Sequence, residues 1–327
     1  MSLSYLSELK TQGRALATCL DDYETGLEDR LSAAARLVRA ADGGIVFTGM
    51  GASAYAPLAV VEELRRHGVA ARAENAHEAL RDDRGEPVVC AISKSGGTRE
   101  VQDYIARRRG DGPILGLINA ETSPLAEACE VVLPMRAGPE AHIANKSFVC
   151  SVAVLNLLAD AICRPSSDGV RPELRALAGW CSELFEDAAL AGRLAALAAN
   201  CTQVDILAYG PARAAALQTA LVFREVLALS TAAIDTADYL HGWWKTAGPR
   251  TLTIVLSSGR AEGGAEEEAL RRAAGRGSAT LLVSGEGALG ADLVLAHPRV
   301  ADQVAPIAQF VGCSALAGAL REALDAT

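Results

Sequence analysis

Apolar positions recur at intervals of three and four from Leu3 to about Ala41, with charges between them, a spacing that predicts two amphipathic helices. The period then changes. Gly44-Ile45-Val46-Phe47-Thr48 is a short apolar strand that stops at the glycine-rich turn Gly49-Met50-Gly51-Ala52-Ser53. Pro57 to His67 has helical spacing, and Gly68 just beyond it is a stop signal. Val69–Ala73, Pro87–Ile92, Pro113–Ile118 and Glu130–Pro134 read as further strands, with a helix from Thr98 to Arg109 among them. This alternation predicts parallel strands joined by helical crossovers on both faces of a sheet. A helix from about Lys146 to Ile162 follows. The turn-rich run Arg164–Pro172 is the clearest linker, and a long helical stretch from Glu173 to Ala199 leads onward.

The arrangement then begins again. Val204–Gly210 repeats the first strand and glycine turn, and Pro211–Leu227 repeats the helix. Thr251–Leu256 with Ser257-Ser258-Gly259-Arg260 repeats the strand and serine-rich turn. Ala279–Val283 and Asp292–Leu295 repeat the last two strands, and Val304–Leu324 is a closing helix. An offset of roughly 160 residues is too large for a solenoid and suits a duplicated domain. The expected organisation is α/β: N-terminal helices over 1–41, a doubly wound domain over 42–163, a linker and connecting helix over 164–200, and a second domain over 201–327. The second turn, Ser257 to Glu262, has fewer hydroxyls and an acid where an anion would dock, so phosphate binding is expected in the first copy only.

Composition narrows the function classes. Of 327 residues, 50% are hydrophobic, and the net charge of -9 argues against a general nucleic-acid binder. None of the eight cysteines forms a C-x-x-C pair and most lie in apolar runs, as expected of reduced core residues. The amino terminus lacks the pattern of an export signal, and no apolar run reads as long enough to span a bilayer. A cytoplasmic protein with no membrane partner is the expectation.

The run Val88 to Glu100 carries the chemistry. An apolar strand halts at Ser93-Lys94-Ser95-Gly96-Gly97-Thr98, and a polar helix opens behind it. Glycines allow a tight turn, helix-start amides converge on one spot, and hydroxyls add donors, which together make an anion pocket. The plainer alternative is an ordinary capped turn. In an open parallel sheet, ligands settle at the carboxyl ends of strands. Ser53, Ser93, Ser95 and Thr98 could therefore converge on one phosphate. Lys94 is either a cation for that phosphate or a solvated lysine.

Gly51-Ala52-Ser53, the Ser93–Thr98 loop and Ala137-Gly138-Pro139-Glu140, set in a duplicated α/β chain, resemble the sugar isomerase (SIS) domain family in its double-domain form. That family includes the isomerase half of glutamine–fructose-6-phosphate aminotransferase and bacterial phosphosugar isomerases and deaminases. The resemblance implies a flavodoxin-like sheet in each half, sugar-phosphate ligands, and neither metal nor nucleotide cofactor. It implies that Ser53, Ser93, Ser95 and Thr98, with Lys94 beside them, hold the phosphate, and that Gly51, Ala52, Glu140 and Ala144 line the sugar site. Phe223-Arg224-Glu225-Val226 resembles the segment whose glutamate moves protons between sugar carbons, so Glu225 is the implied general base. Its apolar neighbours Leu221, Val222, Val226 and Leu227 are expected to desolvate it partly. A glutamate paired with Arg224 is the alternative. Tyr239-Leu240-His241-Gly242 resembles the ring-opening segment, whose histidine reaches the partner subunit's pocket, which implies a homodimer. His142 is read as a loop histidine or a substrate contact.

The match departs from the aminotransferases in five places. Val222 stands where they have a lysine one turn before the glutamate. Ile143-Ala144-Asn145-Lys146 is one residue shorter than their pocket segment, and Trp243-Trp244 replaces a proline with a wall, a lid or dimer core. The sequence ends after its last helix without their lysine-bearing tail, and Ser2 follows Met1 where a glutaminase nucleophile would stand, so glutamine-dependent amination by this chain is not expected. What remains is proton abstraction beside an aldehyde. The resulting enediol can isomerise, isomerise and release ammonia, or lose a β-hydroxyl. The leading expectation is an isomerase or isomerising deaminase of an amino-sugar 6-phosphate. A dehydratase of an N-acetylated sugar phosphate and a non-catalytic sugar-phosphate sensor are the rivals.

Overall fold

The computed structural model describes residues 5–41, 43–81, 88–108, 112–141, 143–164, 169–257, 264–287 and 289–325. Strands β1 (Ile45–Gly49), β2 (Ala71–Asn75), β3 (Val89–Ser93), β4 (Ile114–Ile118) and β5 (Val131–Pro134) form one sheet in the order β2-β1-β3-β4-β5. Strands β6 (Gln203–Ala208), β7 (Ser230–Asp235), β8 (Thr251–Ser257), β9 (Ala279–Ser284) and β10 (Leu293–Ala296) form another in the order β10-β9-β8-β6-β7. All the pairings are parallel. The two orders are the same once β7 is matched to β2, so the duplication read from the sequence is a duplication of topology. Each is the doubly wound, flavodoxin-like order, with a topological switch between β1 and β3 in one sheet and β6 and β8 in the other.

Burial explains which strands the sequence reveals. Every residue of β1, β3, β4 and β8 is buried, because helices cover both faces, and such strands read as continuous apolar runs. The edge strand β7, Ser-Thr-Ala-Ala-Ile-Asp, is only half-buried and carries no apolar run, so no strand is predicted there. The stretch predicted as one helix from Glu173 to Ala199 is two, Arg171–Leu184 and Ala188–Ala198. Asp187 starts the second by accepting a hydrogen bond from Leu190 N at 2.9 Å. The amino-terminal region likewise holds three helices, Tyr5–Leu9, Gln12–Thr25 and Glu28–Ala40.

The chain divides into two compact units. One, with β1–β5, comprises residues 14–140 and 146–175; the other, with β6–β10, comprises 1–13, 141–145 and 176–327. In the β1–β5 unit, helix Lys146–Cys163 packs against helix Glu28–Ala40 and is buried along nearly its whole length. It is apolar and long enough to cross a membrane by those criteria, contrary to the expectation from the sequence; its burial is that of a core helix.

The cysteines are free thiols, with Cys19, Cys90, Cys150, Cys181 and Cys313 buried and Cys129, Cys163 and Cys201 partly so. Burial pushes the Cys129 and Cys313 thiols up to about 12 and Cys163 up to about 11, and raises Cys90, Cys181 and Cys201 as well. The thiolate is the nucleophile, so raised values slow alkylation. At pH 8 the folded protein should label with iodoacetamide only slowly, at Cys163 and Cys201 first, whereas the denatured chain labels at all eight. Peptide mass spectrometry reads this directly; rapid labelling of Cys90 or Cys181 in the folded protein would contradict it.

Candidate functional site

Adjacent strands β1 and β3 end at the same edge of their sheet, with Thr48 opposite Ala91. Their two turns therefore lie side by side at the switch point. After β1, Gly51 takes φ +52°, and helix Ala52–Tyr55 begins at once. Gly49 permits this, since a Cβ there would lie 2.7 Å from that of Ser53. Gly51, Ala52 and Ser53 are all half-buried at this edge.

The loop after β3 is held by its own hydroxyls. Ser93 is buried; its Oγ accepts from Gly96 N at 3.0 Å and lies 3.0 Å from Thr98 Oγ1. Gly97 N donates to Ser95 Oγ at 3.2 Å, and Gln102 Nε2 donates to the Gly96 carbonyl at 3.1 Å. Gly96 adopts φ +65° against Ser123, whose Oγ would be 2.0 Å from any Cβ at 96. Helix Arg99–Arg108 then opens with first-turn amides that have no partner inside the helix. Within this loop Ser95 is exposed and Thr98 half-buried, with the Thr98 hydroxyl beside that of the buried Ser93, which braces the turn.

The Lys94 side chain is 32% exposed and ion-paired. Its Nζ lies 3.6 Å from Oε2 of Glu140, whose side chain is 0% exposed. The Glu140 carboxylate also accepts from Ser147 N at 3.1 Å and from Ser147 Oγ at 2.5 Å. It thus caps the first turn of helix Lys146–Cys163, where unpaired amides and the helix dipole favour an anion. Lys146 Nζ donates to the Pro139 carbonyl beside it. Asn119, just past β4, fastens the approach: its Nδ2 donates to Gly138 O at 3.1 Å and its Oδ1 accepts from Ala137 N at 3.0 Å. Two residues singled out separately in the sequence, Lys94 and Glu140, are thus one ion pair at the edge of the cradle. Ser123, Gln102, Asn119 and Ser147 were not anticipated. Asn119 had a visible signal, since it directly follows the apolar run of a strand at the ligand-binding edge.

The remaining candidates lie in the β6–β10 unit. The Ala144 carbonyl accepts from Gln218 Nε2 at 2.6 Å, and Glu8 accepts from Ala141 N at 2.8 Å and from Asn145 Nδ2 at 3.4 Å. Ala141, Ala144 and Asn145 are thereby each held by a hydrogen bond from the same unit. Glu225 is on helix Arg213–Leu227 and is exposed, which corrects the expected desolvation by its neighbours. Val222 is buried, whereas Arg224 and Glu225 are exposed. Arg224, weighed as a partner for Glu225, binds Thr231 instead, through Oγ1 at 3.1 Å and the carbonyl at 2.6 Å. His241 is exposed at the end of helix Thr236–Leu240, its N donating to Asp238 O at 3.0 Å. Trp244 packs beneath the guanidinium groups of Arg272 and Arg276, at 5.3 and 5.8 Å, so it is a wall of its own unit, whereas Trp243 is 54% exposed. His142 and most of the second serine-rich turn, 258–263, lie outside the described residues. Among the described residues no three His, Cys, Asp or Glu side chains group as metal ligands would.

No family model matches the chain. Glutamine–fructose-6-phosphate aminotransferase (isomerizing) of Aeropyrum pernix is 30% identical over 258 residues, covering 72% of this chain and 40% of that protein. The chain spans about two fifths of the length of the first such relatives it matches. Among solved structures, the C-terminal domain of glucosamine–fructose-6-phosphate aminotransferase from Francisella tularensis superposes with a TM-score of 0.80 at 16% identity, covering 98% of this chain and 96% of that one. Tagatose-6-phosphate ketose/aldose isomerase from Escherichia coli gives a TM-score of 0.82 at 17% identity, over 99% and 93%. These structures share the fold of two tandem α/β domains.

Proposed function

Because this chain belongs to the double-domain sugar isomerase (SIS) family, we propose that it is a phosphosugar aldose–ketose isomerase or isomerising deaminase acting on an amino-sugar 6-phosphate. The observation that carries this reading is the hydroxyl- and glycine-lined turn pair at the β1/β3 switch point, which is a place and a composition suited to a phosphate. Ser95 and Thr98 meet the phosphate with the first amides of helix Arg99–Arg108, and Ser53 meets it from the neighbouring turn. Ser93 holds the loop in shape. Lys94 adds positive charge, and the buried Glu140 carboxylate fixes where that charge sits.

The chemistry then follows from three groups. Phosphate binding supplies energy remote from the reacting carbons and holds them in position. His241 of the partner subunit passes a proton between the ring oxygen and the anomeric hydroxyl, which opens the ring. Glu225 takes the proton from the carbon beside the resulting aldehyde. The bonding pair becomes the carbon–carbon double bond as the carbonyl pair moves to the aldehyde oxygen, which takes up a proton. The same carboxyl then returns its proton to the former aldehyde carbon while the hydroxyl on the deprotonated carbon gives up its own, leaving a ketose. Where the deprotonated carbon bears an amine, the intermediate is an enolamine and the same proton return leaves an imine at that carbon, which water hydrolyses to the ketose and ammonia. The homodimer is part of the proposal, since His241 is taken from the second subunit.

The test is turnover of a panel of amino-sugar 6-phosphates, each assayed for ketose, ammonia and an ultraviolet-absorbing unsaturated product. Ketose or ammonia supports the proposal. The unsaturated product would mean dehydration, and binding without any product would mean a sensor.

A further inference from the structure

The β6–β10 unit repeats the first strand and turn of the β1–β5 unit with different side chains. Gly51 and Gly210 each stand two residues past the end of their strand, β1 and β6, with matching left-handed backbones, φ +52° and +54°. Two residues beyond the glycine, Ser53 of one copy corresponds to Ala212 of the other, and Arg213 follows. The second turn therefore offers a guanidinium in place of a hydroxyl. A cavity of about 230 Å³ opens here, over the carboxyl ends of β6 and β7, where Ala208 pairs with Asp235. Ligands of open parallel sheets bind at that edge. Arg213, Asp235, Asp238 and Trp243 line the cavity, and Leu217 belongs to its apolar lining. The three charged side chains do not neutralise one another. Those of Arg213 and Asp238 have no hydrogen bond or ion pair among the described residues, and Asp235 uses only Oδ1, which accepts from Ala237 N at 2.9 Å. The cavity is also separate from the catalytic candidate on the same helix. Arg213 and Glu225 begin and nearly end helix Arg213–Leu227, about 18 Å apart along its axis.

We infer that this cavity is a second ligand site, for a small zwitterion that carries a primary ammonium and an anionic group. The inference is independent of the phosphosugar reading of the β1–β5 cradle. Two carboxylates and a guanidinium that share a cavity without pairing suit a ligand that bears both charges. A ligand with only an anion would meet Asp235 and Asp238 as like charges, and one with only a cation would meet Arg213 in the same way. Arg213 takes the anion, because its planar fork binds two oxygens at once, whether of a carboxylate or of a phosphate. Asp235 Oδ2 and the Asp238 carboxylate accept from the ammonium, and the ring of Trp243 attracts the same cation. The volume is below the roughly 300–1,000 Å³ of pockets for drug-sized ligands, so the occupant has the size of a free amino acid or an amino-sugar phosphate.

Trp243 reports on the cavity directly. Its fluorescence is isolated by subtracting the same titration of Trp243→Phe. A panel of free L-amino acids, together with glucosamine 6-phosphate, should contain ligands that change this signal to saturation. A response to an amino acid assigns a carboxylate as the anion, and a response to glucosamine 6-phosphate assigns a phosphate. Glucose 6-phosphate, which has only the anion, and ethylamine, which has only the cation, should bind at least about tenfold more weakly. Arg213→Met and Asp238→Asn should each weaken the zwitterion at least about tenfold, since each removes a charge-assisted hydrogen bond. Both positions are exposed, so the variants keep the fold, which circular dichroism checks. The inference is overturned if no zwitterion in the panel changes the Trp243 signal, if the single-charge analogues bind as tightly, or if Arg213→Met binds like the wild type. Glucosamine 6-phosphate held in the β1–β5 cradle stays bound in Arg213→Met, as calorimetry would show, so failure at one site does not imitate failure at the other.

Discussion

Glu225→Gln should reduce turnover of the phosphosugar by about 10³-fold and leave phosphosugar binding intact, because an amide keeps the shape of the carboxyl but cannot accept the proton. The substitution is isosteric and its site is exposed, so the unfolding free energy should change by no more than about 0.5 kcal/mol. Loss of kcat with unchanged affinity identifies an interaction made at the reacting carbon rather than in ground-state binding. Isothermal titration with the substrate, run beside the rate assay, separates the two. If Glu225→Gln turns over at the wild-type rate, the proton is carried elsewhere and the proposed mechanism fails at its central step. The same pair of measurements bears on the rival sensor reading, in which this carboxylate has no catalytic work and its amide is silent in every assay.

The sequence exposes what burial on both faces of a sheet makes unavoidable. Val46, Cys90 and Leu115 sit in strands with no exposed residue, and no polar alternative could occupy those positions without a partner. The repeat of strand, turn and helix was visible for the same reason. Strand β7 was not, because an edge strand is held by backbone hydrogen bonds on one side and needs few apolar side chains. Asp187 hid a helix break in an alanine- and leucine-rich stretch whose propensity is helical throughout.

The site divides along similar lines. Turn chemistry is local, so the Ser93–Thr98 loop could be read from adjacent residues. The Lys94–Glu140 pair joins positions 46 apart in the chain, and the capping of helix Lys146–Cys163 by Glu140 spans a further loop. No spacing rule predicts such contacts. The exposure of Glu225 shows the reverse error. Apolar neighbours in sequence were taken as neighbours in space, yet on a helix the residues on either side of a position point about 100° away from it.

Gly96→Ala is the second substitution with a large expected effect, and its size depends on what lies opposite. Two glycines near the cradle have similar left-handed backbones, Gly96 at φ +65° and Gly138 at φ +69°. An alanine in that region costs about 1 kcal/mol at either position. At Gly138 a Cβ meets nothing within 4 Å, so Gly138→Ala should lose only that amount and retain phosphate affinity. At Gly96 the added carbon would sit 2.0 Å from Ser123 Oγ and 2.4 Å from Ser123 Cβ, and both must move. Ser123 caps helix Pro124–Glu127 through Ala126 N at 3.4 Å, and Gly96 itself donates to Ser93 Oγ and accepts from Gln102. Overpacking of this kind adds about 2 kcal/mol, so Gly96→Ala should lower the unfolding free energy of the β1–β5 unit by about 3 kcal/mol in total. Turning the loop also breaks the hydroxyl network, and inorganic phosphate should bind at least about tenfold more weakly. Denaturant titration and calorimetric phosphate binding measure the two effects. The clash has one partner, so Ser123→Gly on the Gly96→Ala background should recover most of the overpacking cost, because a glycine at the cap costs only a few tenths of a kcal/mol. If the double variant is no more stable than Gly96→Ala, or if Gly138→Ala is as damaging as Gly96→Ala, then the close approach of Gly96 to Ser123 is not what shapes the cradle.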